Sequence, residues 1–123
     1  MNYDMFKAFI WPNLNKTLCD RGICSCDLYQ SGTTPNTCFV GITNLSDDFQ
    51  IEGPSYTYGD LRQAHGLVDL CETFRKLDKR VQEVMKEVLE SFNIPYVVRD
   101  ERSYARMIAF SSYTIDLTKL NRR

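Results

Sequence analysis

Apolar side chains at helical spacing open the chain and predict a short N-terminal helix. Within residues 3–10 these side chains recur three and four positions apart, and they are Tyr3, Met5, Phe6, Phe9 and Ile10. Pro12 pushes Trp11 out of the helical region of backbone space, so the helix is expected to end there.

Two short runs rich in apolar, β-branched and aromatic residues follow, at 22–29 and 37–43. The Ser-, Gly-, Thr- and Pro-containing segment 30–36 between them has the composition of a loop, so the pair predicts a β-hairpin with a long tip. Residues 44–58, which contain Asp, Gly and Pro, are expected to be irregular.

The strongest helical pattern covers residues 58–92. An apolar stripe with charge on the opposite face indicates a helix that packs on a core, and Thr57 with Asp60 resembles a capping box. Gly66 and residues 76–79 are candidate breaks. The stripe consists of Leu61, Leu67, Val68, Cys71, Phe74, Leu77, Val81, Val84, Met85, Val88, Leu89 and Phe92.

Residues 95–99 predict another strand, 100–103 a turn and 104–110 its partner, with 113–117 extending the sheet. Helices and strands are segregated rather than alternating. We therefore expect one α+β domain over residues 1–123: an N-terminal helix, a zinc-clamped β-hairpin, a long or broken central helix and a C-terminal β-hairpin.

Composition places the chain among ordinary globular proteins, with 123 residues, 43% hydrophobic and 25% charged residues and a net charge of −1. The N-terminus lacks the apolar run of a secretory signal, and no segment approaches the roughly 20 apolar residues of a membrane span. A cytoplasmic protein with reduced thiols is expected.

Four of the five cysteines fall within twenty residues in the pattern C-x4-C-x-C-x11-C: Cys19, Cys24, Cys26 and Cys38. Residues two apart in a strand share a face, so Cys24 and Cys26 would present both sulfurs on one side. Cys38 begins the partner strand and could face them, and Cys19 lies just before the hairpin. The pattern predicts one Zn²⁺ held by four thiolates.

A site closed by four cysteines is structural, because a catalytic zinc keeps a position open for water. Two alternatives remain: four reduced, half-buried cysteines acting as small hydrophobes, and a disulfide, which the compartment disfavours. Cys71 lies on the apolar stripe and is expected in the core.

No catalytic signature occurs in the sequence. His65, the single histidine, has no cysteine four residues away, and Walker, G-x-S-x-G, H-E-x-x-H and G-x-G-x-x-G motifs are absent. The chain is therefore expected not to be an enzyme.

Two kinds of binding are suggested instead. Residues 93–123 carry six basic and three acidic side chains and several aromatic ones. The basic groups could hold phosphates and the aromatic rings could stack on bases, but the pI near 5.8 argues against a nucleic-acid-binding protein.

A protein partner could be contacted by aromatic side chains in or beside expected loops. They are Trp11, Tyr29, Tyr56 and Tyr58.

The length, the acidic N-terminal half and the cysteine set together resemble the small zinc-containing type II-A anti-CRISPR proteins of phages. The resemblance implies stoichiometric binding to the Cas9 protein or its guide RNA complex in the bacterial cytoplasm, which would block DNA loading or cleavage. Many such inhibitors are strongly acidic DNA mimics, whereas this chain is nearly neutral. The alternative is a small zinc-containing nucleic-acid-binding or regulatory phage protein.

Overall fold

The computed structural model describes residues 1–52, 56–63, 70–99 and 110–120, and the α+β class is confirmed. A short 3₁₀ turn, Leu117–Lys119, follows the last strand. The helices are α1 (Tyr3–Phe9), α2 (Trp11–Asp20), α3 (Tyr58–Gln63) and α4 (Leu70–Ser91); the strands are β1 (Ser25–Gln30), β2 (Thr37–Asn44), β3 (Gln50–Glu52), β4 (Tyr56–Thr57), β5 (Val97–Arg99) and β6 (Ser112–Asp116).

The N-terminal region contains two helices where one was expected. The Asn2 side chain accepts a hydrogen bond from the Met5 backbone amide at 2.9 Å and caps α1. Pro12 does follow the end of α1, but it also lies in the first turn of α2, where no helical hydrogen-bond donor is required. Pro12, which predicts the end of one helix, therefore also lies in the first turn of the next.

Four strands form an antiparallel sheet in the order β1-β2-β6-β5. Tyr29 of β1 lies opposite Phe39 of β2, which lies opposite Thr114 of β6, which in turn lies opposite Val97 of β5. β6, expected only to extend the sheet, is thus an interior strand. The strand predicted for residues 104–110 lies outside the described residues, apart from Phe110, which is not in a strand.

Residues 44–58 are not irregular throughout, because β3 and β4 pair antiparallel within them. The capping box that follows is confirmed. The Thr57 amide donates to Asp60 Oδ2 at 3.0 Å, and the Asp60 amide donates to Thr57 Oγ1 at 3.3 Å. Helix α4 runs through residues 76–79 without the break considered there, and residues 64–69, which include Gly66 and His65, lie outside the described part.

The core lies between the helices and the inner face of the sheet. One hydrophobic cluster joins the apolar stripe of α4 to residues from α1, α2 and the two central strands. Its members include Phe6, Leu14, Leu18, Cys38, Val40, Ile42, Leu77, Val81, Met85, Leu89, Tyr113 and Ile115. The side chains that alternate with these strand residues form the outer face, which is partly or fully exposed.

Candidate functional site

The turn between α2 and β1 positions the first cysteines through a Schellman motif. The Ile23 amide donates to the Leu18 carbonyl at 2.9 Å and the Gly22 amide to the Cys19 carbonyl at 3.0 Å. Gly22 adopts a φ of 92°, the left-handed conformation that this motif requires. Leu18 and Ile23 are both fully buried, which is the hydrophobic contact that accompanies the motif. The backbone between Cys19 and Cys24 is therefore closely defined.

Three of the four predicted ligands lie near one another. Cys19, at the end of α2, and Cys24 are exposed, and Cys26 of β1 is half-buried. Burial, assisted by the negative charge of Asp27 and by the Cys24 and Cys19 thiols, raises the pKa of Cys26 to about 12.

Cys38 lies elsewhere on the same face. It is opposite Gln30, whereas Cys26 is opposite Ile42, so the two cysteines are four ladder positions apart, or roughly 13 Å along the strand. Sulfurs that share one zinc ion lie roughly 4 Å apart. Cys38 is fully buried, and burial raises its pKa to about 11.

The geometry of these residues does not fit a closed four-thiolate centre. No group of three or more His, Cys, Asp or Glu side chains within 1–52, 56–63, 70–99 and 110–120 has a metal-binding arrangement. The four-cysteine zinc site stays a prediction. Side-chain alternation places Cys26 and Cys38 on one face of the sheet, but Cys24 precedes β1 and does not share a strand with Cys26 as expected. The hairpin register could not be obtained from alternation.

A second candidate site occupies the outer face. The ring of Tyr29 lies across Gly41, since a Cβ atom at Gly41 would be 3.2 Å from Tyr29 Cε2. The Tyr29 hydroxyl donates to Asp27 Oδ2 at 3.2 Å, and 51% of the residue surface is exposed. The charge of Asp27 raises the pKa of Tyr29 above its ordinary value, because it disfavours a second negative charge on the phenol oxygen.

Beside this ring lies a shallow cleft of about 250 Å³, which we call the Tyr29 cleft. It is lined by Tyr29, Phe39, Gly41, Arg99 and Ser112. Arg99 and Ser112 are cross-strand neighbours of β5 and β6. The cleft therefore spans all four strands and combines two aromatic rings with a guanidinium and a hydroxyl group.

An exposed apolar side chain extends this surface. Val97 lies on the same face of β5 as Arg99, two residues away, and is 68% exposed. Among the described strand residues, the outer face carries the charged side chains Asp27, Asp116 and Arg99. Asp116 accepts hydrogen bonds from the Thr118 amide and hydroxyl, which lower its pKa.

Another cleft, of about 270 Å³, lies between the start of the hairpin and α4. Its arginines already contact carboxylates, Arg21 with Glu87 at 3.0 Å and Arg80 with Glu83 at 3.1 Å. This cleft has one aromatic lining residue, Phe49, whereas the Tyr29 cleft has two, Tyr29 and Phe39, and we therefore take the Tyr29 cleft as the candidate for a ligand.

Of the aromatic residues expected to project, Tyr29 lies on a strand and is exposed, whereas Trp11, Tyr56 and Tyr58 are half-buried. Phe39, Gly41 and Val97 are not among the site residues expected from the sequence, whereas Arg99 is one of the six basic residues of 93–123 considered for phosphate binding. The alternation of side chains along a strand does indicate this surface, because it places Phe39 and Gly41 on the face of β2 opposite to its buried residues.

Comparisons with known proteins add no family to this description. No family model, curated protein or solved structure matches the chain. None of the described helices has both the length and the apolar character needed to cross a membrane.

Proposed function

We propose that this protein is a non-catalytic binding protein that engages a partner protein through the outer face of its four-stranded sheet. The observation that carries the proposal is the Tyr29 cleft, where an exposed tyrosine, a half-buried phenylalanine and an exposed arginine lie together on a regular scaffold. Tyrosine and arginine are the residue types that most often dominate the energy of protein interfaces. A sheet holds them in place before binding, which lowers the entropic cost of association.

The partner we propose is Cas9 or its guide RNA complex, in the cytoplasm of a bacterium. The support for this choice is the resemblance in length, acidic N-terminal half and cysteine segment to type II-A anti-CRISPR proteins. The protein would act stoichiometrically by covering a surface that Cas9 needs for loading or cleaving DNA. Any zinc would serve the fold only.

Nucleic-acid binding is the second candidate. It is favoured by one observation, the two rings and the arginine gathered in one cleft, because bases stack on aromatic side chains and phosphates pair with arginine. The charge of the outer face argues against nucleic-acid binding. Within the described strands the outer face carries one arginine and two aspartates, whereas a surface that binds nucleic acid needs several cations.

Binding of the purified protein to immobilised Cas9–guide complex, and separately to labelled single-stranded DNA and RNA, distinguishes the two candidates. We expect retention on Cas9 and at least tenfold weaker retention of Tyr29→Ala. The matched control is Phe9→Ala, since Phe9 is an aromatic residue of α1 that is 71% exposed. Its binding should equal that of the unmodified protein.

Absence of Cas9 binding would overturn the proposed partner. Retention by nucleic acid alone, falling steeply with added salt, would establish the second candidate. Equal loss in both variants would contradict the assignment of the binding surface to the outer face.

A further inference from the structure

We propose that β1, a terminal strand of the four-stranded sheet, is a docking edge for the β1 strand of a second copy of this chain. The two strands pair antiparallel and join the sheets of both copies into one. This contact lies beyond the proposed partner-binding surface, since it uses the edge of the sheet rather than its outer face. Two features carry it, the direction of the backbone hydrogen-bonding groups of β1 and the order of its side chains.

Alternate backbone groups of β1 point away from the sheet. The Ser31 amide, just after the strand, donates to the Thr37 carbonyl of β2 at 3.0 Å, so the hydrogen bonds of this ladder lie at odd-numbered residues of β1. Because the direction reverses at each residue of an antiparallel ladder, the N–H and C=O groups of Cys26, Leu28 and Gln30 point to the other side. In the described sheet β1 is a terminal strand, so that side has no neighbouring strand.

A contact from α1 supports this direction independently. The Tyr3 hydroxyl donates to the Leu28 carbonyl at 3.3 Å, which requires that carbonyl to point away from β2. The distance is longer than the roughly 2.8 Å usual for a hydroxyl donor, and a carbonyl oxygen can accept a second hydrogen bond. An incoming strand can therefore still donate to Leu28.

The sequence of β1 lacks the features that usually protect an edge strand, which are proline, lysine, bulges and very short length. The strand has six residues with neither proline nor lysine, and its irregularity lies at Ser25, where it begins. At the other edge of the sheet, β5 has only three residues. An open edge of the length of β1 favours an extended backbone as its ligand, because a strand supplies a donor and an acceptor at each position.

The order of side chains in β1 favours a second copy as that ligand. An antiparallel pair centred on Leu28 aligns Cys26 with Gln30 of the second copy, which gives three hydrogen-bonded residue pairs. On the outer face it places the carboxylate of Asp27 opposite the uncharged phenol of Tyr29. Centring on Asp27 would place two carboxylates opposite each other, and centring on Tyr29 would lose one hydrogen-bonded pair. The strand is thus self-complementary about Leu28.

The dimer leaves the proposed partner-binding surface open. Edge-to-edge pairing about a twofold axis perpendicular to the sheet keeps the outer faces of both copies on the same side. The ring of Tyr29 lies over Gly41 of β2, and therefore away from the β1 edge. Two Tyr29 clefts then lie on one continuous surface.

Sedimentation equilibrium of the full chain measures the association. A reducing buffer excludes disulfide-linked dimers formed through the exposed Cys19 and Cys24. The interface of two short strands is smaller than the roughly 1,200 Å² of stable complexes, so we expect a reversible dimer with a dissociation constant on the order of 50 µM. Loading concentrations from about 5 to about 500 µM cover this range. A monomer throughout would overturn the proposal.

Amide hydrogen exchange of the ¹⁵N-labelled protein locates the interface. The Leu28 and Gln30 amides gain acceptors in the dimer. Their exchange should slow roughly threefold between about 20 and about 500 µM, which is the ratio of monomer fractions at that dissociation constant. The Val98 amide of β5 is the internal control, because the same alternation directs it to the opposite edge. Slowing at Val98 in place of Leu28 and Gln30 would contradict the assignment to β1.

Gln30→Pro and Gln30→Ala form a matched pair of variants. Gln30 is exposed, and its amide points away from β2, so proline leaves the hydrogen bonds between β1 and β2 intact. Gln30→Pro should raise the dissociation constant at least tenfold, because each copy loses a donor and the proline ring occupies the position of the second strand. Gln30→Ala should stay within about threefold of the unmodified protein. NMR spectra of both variants check that the fold persists, and equal association of the two would refute pairing through this edge.

A partner strand is the competing occupant of the edge. If the chain stays monomeric and the Leu28 and Gln30 amides gain protection only in a complex with another protein, the second copy is excluded in favour of that partner. Cas9 binding without dimerisation would leave the proposed function standing and remove this inference. Dimerisation without Cas9 binding would do the reverse.

Discussion

Asp78 of α4 and Ser111, the residue before β6, are joined by two hydrogen bonds inside the core. The Ser111 amide donates to Asp78 Oδ1 at 2.9 Å, and the Ser111 hydroxyl donates to Oδ2 at 2.7 Å. Both residues are fully buried, and Gln82 donates to the same carboxylate at 2.9 Å. These hydrogen bonds join the start of β6, a central strand, to α4. The Ser111 hydroxyl acts as a donor in this arrangement.

Asp78→Ala should lower the free energy of unfolding by about 2–4 kcal/mol, because it leaves the buried Ser111 amide and hydroxyl without their acceptor. Ser111→Ala, which removes one donor, should cost about 1–2 kcal/mol. Urea unfolding measures both. The control is Glu90→Ala, an exposed acidic residue of α4, which should stay within about 0.5 kcal/mol of the unmodified protein. Comparable losses at positions 78 and 90 would contradict this role of Asp78.

Gly22→Ala should destabilise the protein by about 2–4 kcal/mol. The left-handed backbone costs any other residue about 1–2 kcal/mol, and the new methyl group would lie 2.9 Å from Phe49 Cδ2. Gly32→Ala is the matched control, since an added Cβ there meets nothing within 4 Å. Thermal unfolding of the two variants should separate them clearly, and equal melting temperatures would disprove the requirement for glycine at position 22.

Thiol reactivity and metal content test the zinc prediction directly. In the described arrangement Cys19 and Cys24 are exposed and should react quickly at pH 8 with a disulfide reagent. Cys26 and Cys38 should react only slowly, because burial raises the pKa values of both thiols.

Mass spectrometry of the native protein and of its alkylated peptides measures zinc and site-specific labelling together. One zinc per chain, with all four thiols protected until a chelator is added, would support the four-cysteine site and contradict the separation of Cys38. Rapid labelling of Cys19 and Cys24 without zinc would exclude the closed site.

Stability should fall at alkaline pH. The folded protein raises the pKa of Cys26 from 9.0 to about 12, so it binds this proton more tightly than the unfolded chain does. The corresponding stability is fully present below pH 9 and is lost as the pH rises towards 12, by up to about 1.4 kcal/mol per pH unit. Urea unfolding between pH 8 and 11 should show a shallower decline for Cys26→Ala, and an identical slope would refute the assignment to this thiol.

The spacing of apolar residues and the local capping pattern correctly predict the elements that depend on them. The stripe of α4 and the capping residues Thr57 and Asp60 follow directly from sequence. Helix α2 is not apparent in the sequence because its buried residues are only Leu14 and Leu18, and Pro12 by itself predicts the end of a helix rather than its first turn. Its stability comes from tertiary packing, which no local propensity encodes.

The candidate site shows the same limit. Alternation assigns a face to each strand residue, but it does not determine which residues lie opposite one another across a ladder. The position of Cys38 beside Gln30, and of Arg99 beside Ser112, depends on the length of the connecting loops and on the strand order. Both are properties of the assembled sheet.

Within the eight residues of β2, alternate side chains face the core and the outer surface. Cys38, Val40 and Ile42 face the core, whereas Phe39 and Gly41 face outwards between them. Substitutions at the outward positions change the shape and charge of the proposed binding surface, whereas the packing beneath it depends on the alternate residues. If the outer face binds a partner, the same backbone could acquire a new specificity by point substitution at the outward positions alone.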